Sequence, residues 1–261
     1  MNDSGRFFPA LRNWAAPVGS IVLMFAIWQA VAAGFHVRAL ILPEPSEIFS
    51  ALLNQPHYYL TEGLYTLQTT MIGFALAVAV GVVLAILIVE VRLLESTLYA
   101  LIVALNSVPK VAIAPLFVIW LGTGTGPKIA IAFLIAFFPI VIDTVLGLKS
   151  VPKDMLDLAN SMQAARLDQF WRIRLPAALP SMFAGMKVGI SLALVGTIVG
   201  EFVASDRGLG YVILTAQGTF DTAQIFAANI VLGAAGIVLF GIMSALERKL
   251  VPWHASQHRE A

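Results

Sequence analysis

Charged residues in this chain occur in clumps, and the stretches between the clumps carry no charge at all. Residues 63–89, between Glu62 and Glu90, form an uncharged run of twenty-seven, and residues 222–246, between Asp221 and Glu247, one of twenty-five. A hydrocarbon core of ~30 Å is crossed by about 20 helical residues, so each run is long enough to span it. The pattern predicts six spans, at 17–35, 64–89, 96–121, 127–148, 178–200 and 223–246. The apolar runs are continuous rather than alternating, which excludes a transmembrane barrel. The fold class expected is all-α, a polytopic helical membrane protein with about six transmembrane helices.

An even number of spans puts both termini on one side, and Lys and Arg decide which. With the N-terminus inside, eleven of them (Arg6, Arg12, Arg92, Lys149, Lys153, Arg166, Arg172, Arg174, Arg248, Lys249 and Arg259) are cytoplasmic. The outer segments hold three: Arg38, Lys128 and Arg207. Both termini are therefore expected in the cytoplasm. The apolar run near the N-terminus ends in Ala30-Val31-Ala32, like a signal peptide with its cleavage site. Its uncharged length from Asn13 to Val37 suits an uncleaved first helix better.

Composition agrees: 59% of the 261 residues are hydrophobic and 12% charged, against about 45–50% and about 25% in soluble domains. The net charge of +1 gives no reason to expect nucleic acid. Cysteine is absent, which rules out disulfides and thiolate chemistry. His254 and His258 share a helical spacing suited to one metal ion, but His36 and His57 are distant and no third ligand is nearby, so solvated tail residues are the better reading. Gly122, Gly124 and Gly126 precede Lys128, yet Pro127 intervenes and no Ser or Thr follows, so this is a turn and not a phosphate loop.

Two spans have distinctive internal chemistry. The fifth carries Gly185, Gly189, Gly196 and Gly200, two small-xxx-small pairs that fit close packing within one subunit or a dimer seam. The third is interrupted by Pro109 and Pro115, whose freed carbonyls need partners from neighbouring helices or water.

The stretch DLANSMQAARLDQFWRIRLP, Asp157–Pro176, carries five charges in a chain built for lipid. Leu158, Met162 and Ala165 recur at helical spacing, as do Leu167, Phe170 and Trp171. The pattern predicts two short amphipathic helices meeting near Gln163–Arg166 and ended by Pro176. Such a segment either lies in the headgroup layer or docks a soluble partner.

Asp157, Ala159, Gln163, Ile173, Leu175 and Pro176 fall where a known signature has its fixed positions. The stretch resembles the cytoplasmic signature of ATP-binding-cassette importer permeases: Glu-Ala-Ala, three residues, glycine, nine residues, Ile-x-Leu-Pro. Leu158 replaces an alanine and Gln163 the glycine, a position where glycine would permit positive φ. The stretches "NSVPKVAIAPLFVIWLGTG", "FFPIVIDTVLGLKSVP" and "VGEFVASDRGLGYVI" are similar to the nitrate, sulfonate and taurine branch of that family. The resemblance implies a type I ABC importer permease fold with cytoplasmic coupling helices, in a bacterial inner membrane. It implies a homodimer, two ATPase subunits docked on Asp157–Pro176, and a periplasmic or lipid-anchored solute-binding protein. ATP and Mg would belong to the ATPase, with no cofactor on this chain, which is a transport subunit and not an enzyme. The solute would be small and polar or anionic: sulfonate-, taurine- or nitrate-like, or a vitamin precursor. The alternatives are an ion-coupled secondary transporter, for which no internal repeat is visible, and a multi-pass membrane enzyme, for which no convergent acids or histidines are visible.

The expected organisation is an N-terminal tail, first helix and outer loop over 1–62, and a permease core over 63–250. The core contains a coupling element at 150–176, and a C-terminal tail follows over 251–261. Arg166, Phe170 and Trp171 are expected at the ATPase contact, an aromatic pair beside an arginine. Three ionisable residues lie at membrane depth: Lys110, Asp143 roughly 9 Å inside the cytoplasmic end, and Lys187 roughly 13 Å deep. Such residues face bundle interiors or aqueous cavities. Asp143 and Lys187 form a structural pair, or Lys187 and Lys110 line the pathway with positive potential. Glu201, Gly208 and Gly210 form a re-entrant outer gate or a plain surface loop.

Overall fold

The structure, a computed structural model, describes residues 8–35, 38 and 40–253. The paired histidines His254 and His258, and His36, lie outside them. The described elements are α1 (Phe8–Gly34), α2 (Pro45–Asn54), α3 (Pro56–Glu90) and α4 (Arg92–Asn106), then a 3-10 turn (Lys110–Ile113) leading into α5 (Ala114–Leu121). They continue with α6 (Thr125–Lys149), α7 (Lys153–Ser161), α8 (Arg166–Gln169), a π-helical turn (Phe170–Arg174), α9 (Leu175–Val203), α10 (Leu209–Gly218) and α11 (Thr222–Leu250). Helices suit such a chain because lipid offers the backbone no hydrogen-bond partners.

Four helical stretches are long and apolar enough to cross a membrane: Pro56–Glu90, Thr125–Lys149, Arg166–Val203 and Thr222–Leu250. The expected first span falls within α1, whose Gly19–Gly34 portion is apolar. The expected third span is not one rod. Thr97–Asn106 and Lys110–Leu121 meet at 87°. Proline supplies the reason: Pro109 has no N–H to continue the α4 ladder and biases Val108 away from helical geometry. Pro139 and Pro180 sit inside α6 and α9 without ending either helix.

The chain divides into two compact units. One consists of Met1–Leu60 with Val212–Ile230. Within it, Trp28 of α1 stacks on Phe25 (5.8 Å between ring centroids) and meets Phe226 at 5.5 Å. The predicted outer loop contains α2, whose N-terminus is closed by the Glu47 carboxylate accepting the Glu44 N–H at 3.1 Å.

The other unit, Thr61–Tyr211 with Val231–Ala261, is built on the packing of α6 against α9. All four glycines of the fifth span face α6. A Cβ at Gly185 would lie 2.8 Å from Asp143 Cβ, at Gly189 2.9 Å from the Ile140 side chain, at Gly196 2.8 Å from Ala132 Cα, and at Gly200 2.8 Å from Lys128 Cα. Packing within one subunit therefore accounts for these glycines. Helix association in lipid rests on close packing rather than hydrophobic expulsion, and the absent side chains let the backbones approach. Around this seam Phe74, Ala136, Ile140, Phe183, Ile190 and Ala193 form the core.

Candidate functional site

The charged segment is a helix, a tight reversal and a second helix that does not stop. At the end of α7 the Gln163 N–H donates to Asn160 O (2.9 Å) and the Ala164 N–H to Ala159 O (3.0 Å). This is a Schellman closure, which places its turning residue in the left-handed region. That residue is Gln163, at φ 55°. The glycine expected by resemblance is absent, yet the conformation it would permit is kept. Left-handed geometry costs an L-residue about 1–2 kcal/mol. Gln163→Gly is therefore expected to leave the fold intact and change stability by less than about 1 kcal/mol, the relief of strain offsetting the freer unfolded chain. Thermal unfolding of the solubilised chain checks this, with Gln163→Val as the destabilised comparison.

Beyond the reversal, α8 passes through the π turn into α9, so the second short helix is continuous with the fifth span and Pro176 does not end it. Pro176 cannot donate to the carbonyl four residues back, and the local widening, with the Leu175 N–H donating to Phe170 O, accommodates its ring. Gln169, nearly buried, bridges the two arms: its Nε2 donates to Asn160 Oδ1 (2.9 Å) and Ala164 O (3.0 Å). Arg174 reaches Glu90 at the end of α3 (3.3 Å). Behind the arms is a polar cavity of about 390 Å³ whose lining includes Glu90, Lys153, Asp157, Arg166, Gln169 and Arg174.

The arrangement divides the expected coupling residues. Ala159 is buried, Ile173, Leu175 and Pro176 are half-buried, and Asp157, Arg166 and Trp171 are exposed. Phe170 is half-buried and packs against the cluster of Leu148, Ala178 and Met182. The outward apolar groups are Leu158 (63% exposed), Met162 (74%), Leu167 (69%) and Trp171 (59%). Leu158, a departure from the resembled motif, fits because its side chain points away from the protein.

The intramembrane groups also sort differently from expectation. Lys187 does not pair with Asp143; its Nζ lies 2.6 Å from Glu247 Oε2, joining α9 to α11. Asp143 packs instead against the bare backbone of Gly185 in the α6–α9 seam. Lys110 Nζ donates to Asn106 O (2.7 Å) and Asn106 Oδ1 (2.9 Å) and lies over the Phe138 ring. It caps the broken C-terminus of α4, where a cation complements the free carbonyls.

The end of the larger unit where α10 begins holds a polar clasp that the sequence reading had only in part. The first N–H groups of α10 have no helical acceptors, and side chains of α3 and α9 supply them. The Gly208 N–H donates to Glu62 Oε2 (2.5 Å), the Leu209 N–H to Thr66 Oγ1 (2.9 Å) and the Gly210 N–H to Glu201 Oε2 (2.7 Å). The Thr66 hydroxyl in turn donates to Glu201 Oε1 (2.8 Å). Carboxylates at a helix N-terminus are favourable in addition, because they meet its partial positive charge. Gly208 is required twice, by φ 100° and because a Cβ would collide with the Glu201 carboxylate. Glu201 and Lys128 are both fully buried; Lys128 Nζ donates to Tyr65 OH (3.0 Å) and attracts Glu201 electrostatically. Of the three residues expected in a gate, all belong to this clasp. Glu62, Thr66 and Lys128 were missed because they lie far away in sequence.

Residues 77–252 match the family model described as binding-protein-dependent transport system inner membrane component. The chain is 32% identical over 247 residues to the formylaminopyrimidine transport permease protein ThiX of Halalkalibacterium halodurans, covering 92% of this chain and 96% of that protein. It is 36% identical over 241 residues to the riboflavin transport system permease protein RibX of Chloroflexus aurantiacus, covering 91% and 89%. The taurine transport system permease protein TauC of Escherichia coli is 28% identical over 254 residues, covering 95% and 92%. A chain from the inward-facing MetNI methionine ABC transporter superposes with a TM-score of 0.64 at 17% identity, covering 74% of this chain and 96% of that one.

Proposed function

Because the chain belongs to the family of binding-protein-dependent transport system inner membrane components, the permease subunits of ABC importers, we propose how its parts divide the work. ATP hydrolysis is carried out by a separate ATPase, and this chain carries the solute path through the inner membrane. The working assembly is two copies of this chain, two cytoplasmic ATPase subunits holding Mg and ATP, and a solute-binding protein on the outer side. The Lys and Arg asymmetry puts both termini and the α7–α8 reversal in the cytoplasm.

The broken third span carries the reading of the path. From Ser107 to Ile113 the backbone leaves the α-helix at membrane depth, and all of these residues except half-buried Lys110 and Ile113 are exposed. Lipid cannot satisfy such backbone; protein or water must cover it. A second copy meeting the first across α4 and α5 provides both, with a wet path along the seam. The α7–α8 reversal is the coupling element. It is continuous with α9, so ATPase closure pulling on Leu158, Met162 and Arg166 moves a spanning helix as a lever. Each nucleotide state then shifts access by binding one permease conformation better than the other. The solute is a small polar organic molecule, as with the relatives named for a pyrimidine, a flavin and taurine.

The test is reconstitution of this chain with its ATPase and binding protein in proteoliposomes. Liganded binding protein is expected to raise ATP hydrolysis several-fold, with uptake that stops when ATP is withdrawn. Uptake that persists without ATP and follows an ion gradient would instead establish the secondary transporter.

A further inference from the structure

Two lysines of the larger unit stand beside a carboxylate: Lys187 meets Glu247 at 2.6 Å, and fully buried Lys128 is attracted by Glu201. Lys110 has no such partner. Among the described residues it forms no ion pair, and the two oxygens that accept from its Nζ, Asn106 O at 2.7 Å and Asn106 Oδ1 at 2.9 Å, are both neutral. The helix ends at the break do not neutralise it either. The C-terminus of α4 brings about half a negative charge and the start of the next helical segment about half a positive one, so the ammonium charge remains.

Phe138 fixes the depth of this charge. Lys110 Nζ lies 4.5 Å from the centroid of that ring. Phe138 is buried in the middle of α6, roughly 20 Å from one end of the helix and roughly 17 Å from the other at 1.5 Å per residue. The ammonium therefore sits near the midplane of a hydrocarbon core ~30 Å thick. Two hydrogen bonds and a ring face hold it at the break, so it does not snorkel to either surface. No other Lys, Arg, His, Asp or Glu occurs between Glu95 and Lys128, or between Lys128 and Asp143. Asp143 faces Gly185 of α9, whereas Phe138 packs with Ile102 of α4. An ionisable residue so deep marks a polar route through the membrane.

We propose that Lys110 is an electrostatic barrier that keeps small cations, protons included, out of the wet seam between two copies, so that solute passes while the membrane stays sealed to ions. The proposal rests on the reading of α4 and α5 as that seam. Two-fold symmetry then brings two ammonium groups to one level. Fixed positive charge in a narrow passage with low-dielectric walls repels cations along its whole width. Such a barrier requires only the charge and is indifferent to which solute is carried.

The test is passive efflux of potassium and of chloride from proteoliposomes holding the assembled transporter. The native complex is expected to leak potassium no faster than protein-free vesicles. Lys110→Gln and Asn106→Asp should each raise potassium efflux on the order of tenfold, while Lys110→Arg stays tight. Asn106→Asp keeps the lysine and gives it a carboxylate, so a purely structural lysine predicts a firmer break and no leak. Chloride efflux should not rise in either variant. Native-level potassium efflux in both variants, or equal rises for both ions, overturns the proposal. Loss of solute uptake in Lys110→Gln without a leak overturns it as well, and makes the lysine a solute contact. Val108→Cys, a single exposed thiol at the break of a chain without cysteine, reports on the seam separately. In membranes it should react with a neutral, water-soluble thiosulfonate. If it does not react, the wet seam is wrong and the barrier falls with it; if it reacts while the variants stay tight, only the barrier falls.

Discussion

Glu201→Ala is expected to destabilise the solubilised chain by about 3–5 kcal/mol, the penalty for breaking a buried charged group away from its partners. Three losses coincide at one position. The Gly210 N–H at 2.7 Å and the Thr66 hydroxyl at 2.8 Å lose their acceptor, and fully buried Lys128 loses its nearby carboxylate. Gly208→Ala should be comparably harmful, since it forces a Cβ onto the carboxylate at φ 100°. Removing both charges, in Glu201→Ala with Lys128→Met, should recover part of the loss because no uncompensated cation then remains. Thermal unfolding in detergent measures all three. A change below about 1 kcal/mol for Glu201→Ala would mean that water reaches the clasp. Bulky residues at Gly210 do not separate a gate from a structural turn, because even a Cβ there would lie 2.7 Å from Glu201 Cβ.

The second large effect is expected at the α7–α8 reversal. Leu158→Ala combined with Met162→Ala should weaken ATPase binding by about 2–3 kcal/mol, on the order of a hundredfold in Kd, if both side chains become buried on docking. Their present exposure, 63% and 74%, means that the free chain gains nothing from them and should fold unchanged. Phe170→Ala predicts the opposite division. Its ring packs on Leu148, Ala178 and Met182, so the chain should lose about 3 kcal/mol of stability, while the molecules that remain folded keep most of their ATPase affinity. Titration of labelled ATPase against each variant, beside its unfolding curve, distinguishes the two.

Those contrasts mark where the sequence was legible. Spans can be read from uncharged runs because lipid penalises charge wherever it falls, and the four glycines of the fifth span can be read as a close-packing face from their spacing alone. The reversal at Gln163 was visible as a missing glycine; that the chain would still adopt φ 55° followed only from the Schellman hydrogen bonds. Phe170 and Trp171 are neighbours on one amphipathic pattern, and the π turn that separates their directions depends on Pro176 further along. Similar depth alone allows Lys187 either to pair with Asp143 or to line the pathway. Its actual partner, Glu247, is sixty residues away at the end of another span, and depth says nothing about which helices are neighbours. The clasp was hidden for the same reason, since Glu62 and Gly208 are separated by 146 positions.

One cross-linking measurement decides whether ATP hydrolysis is coupled to this chain through the α7–α8 reversal. With no native cysteine, Met162→Cys provides a single thiol at the tip of that turn, and Thr123→Cys provides one just before α6, at the end of that helix away from its connection to α7. In membranes containing the assembled complex, a short bifunctional reagent should join Met162→Cys to the ATPase, with a yield that changes when ATP is added. Thr123→Cys should give no such product. Equal yields from both positions, or an ATPase product from Thr123→Cys alone, would contradict coupling through this turn.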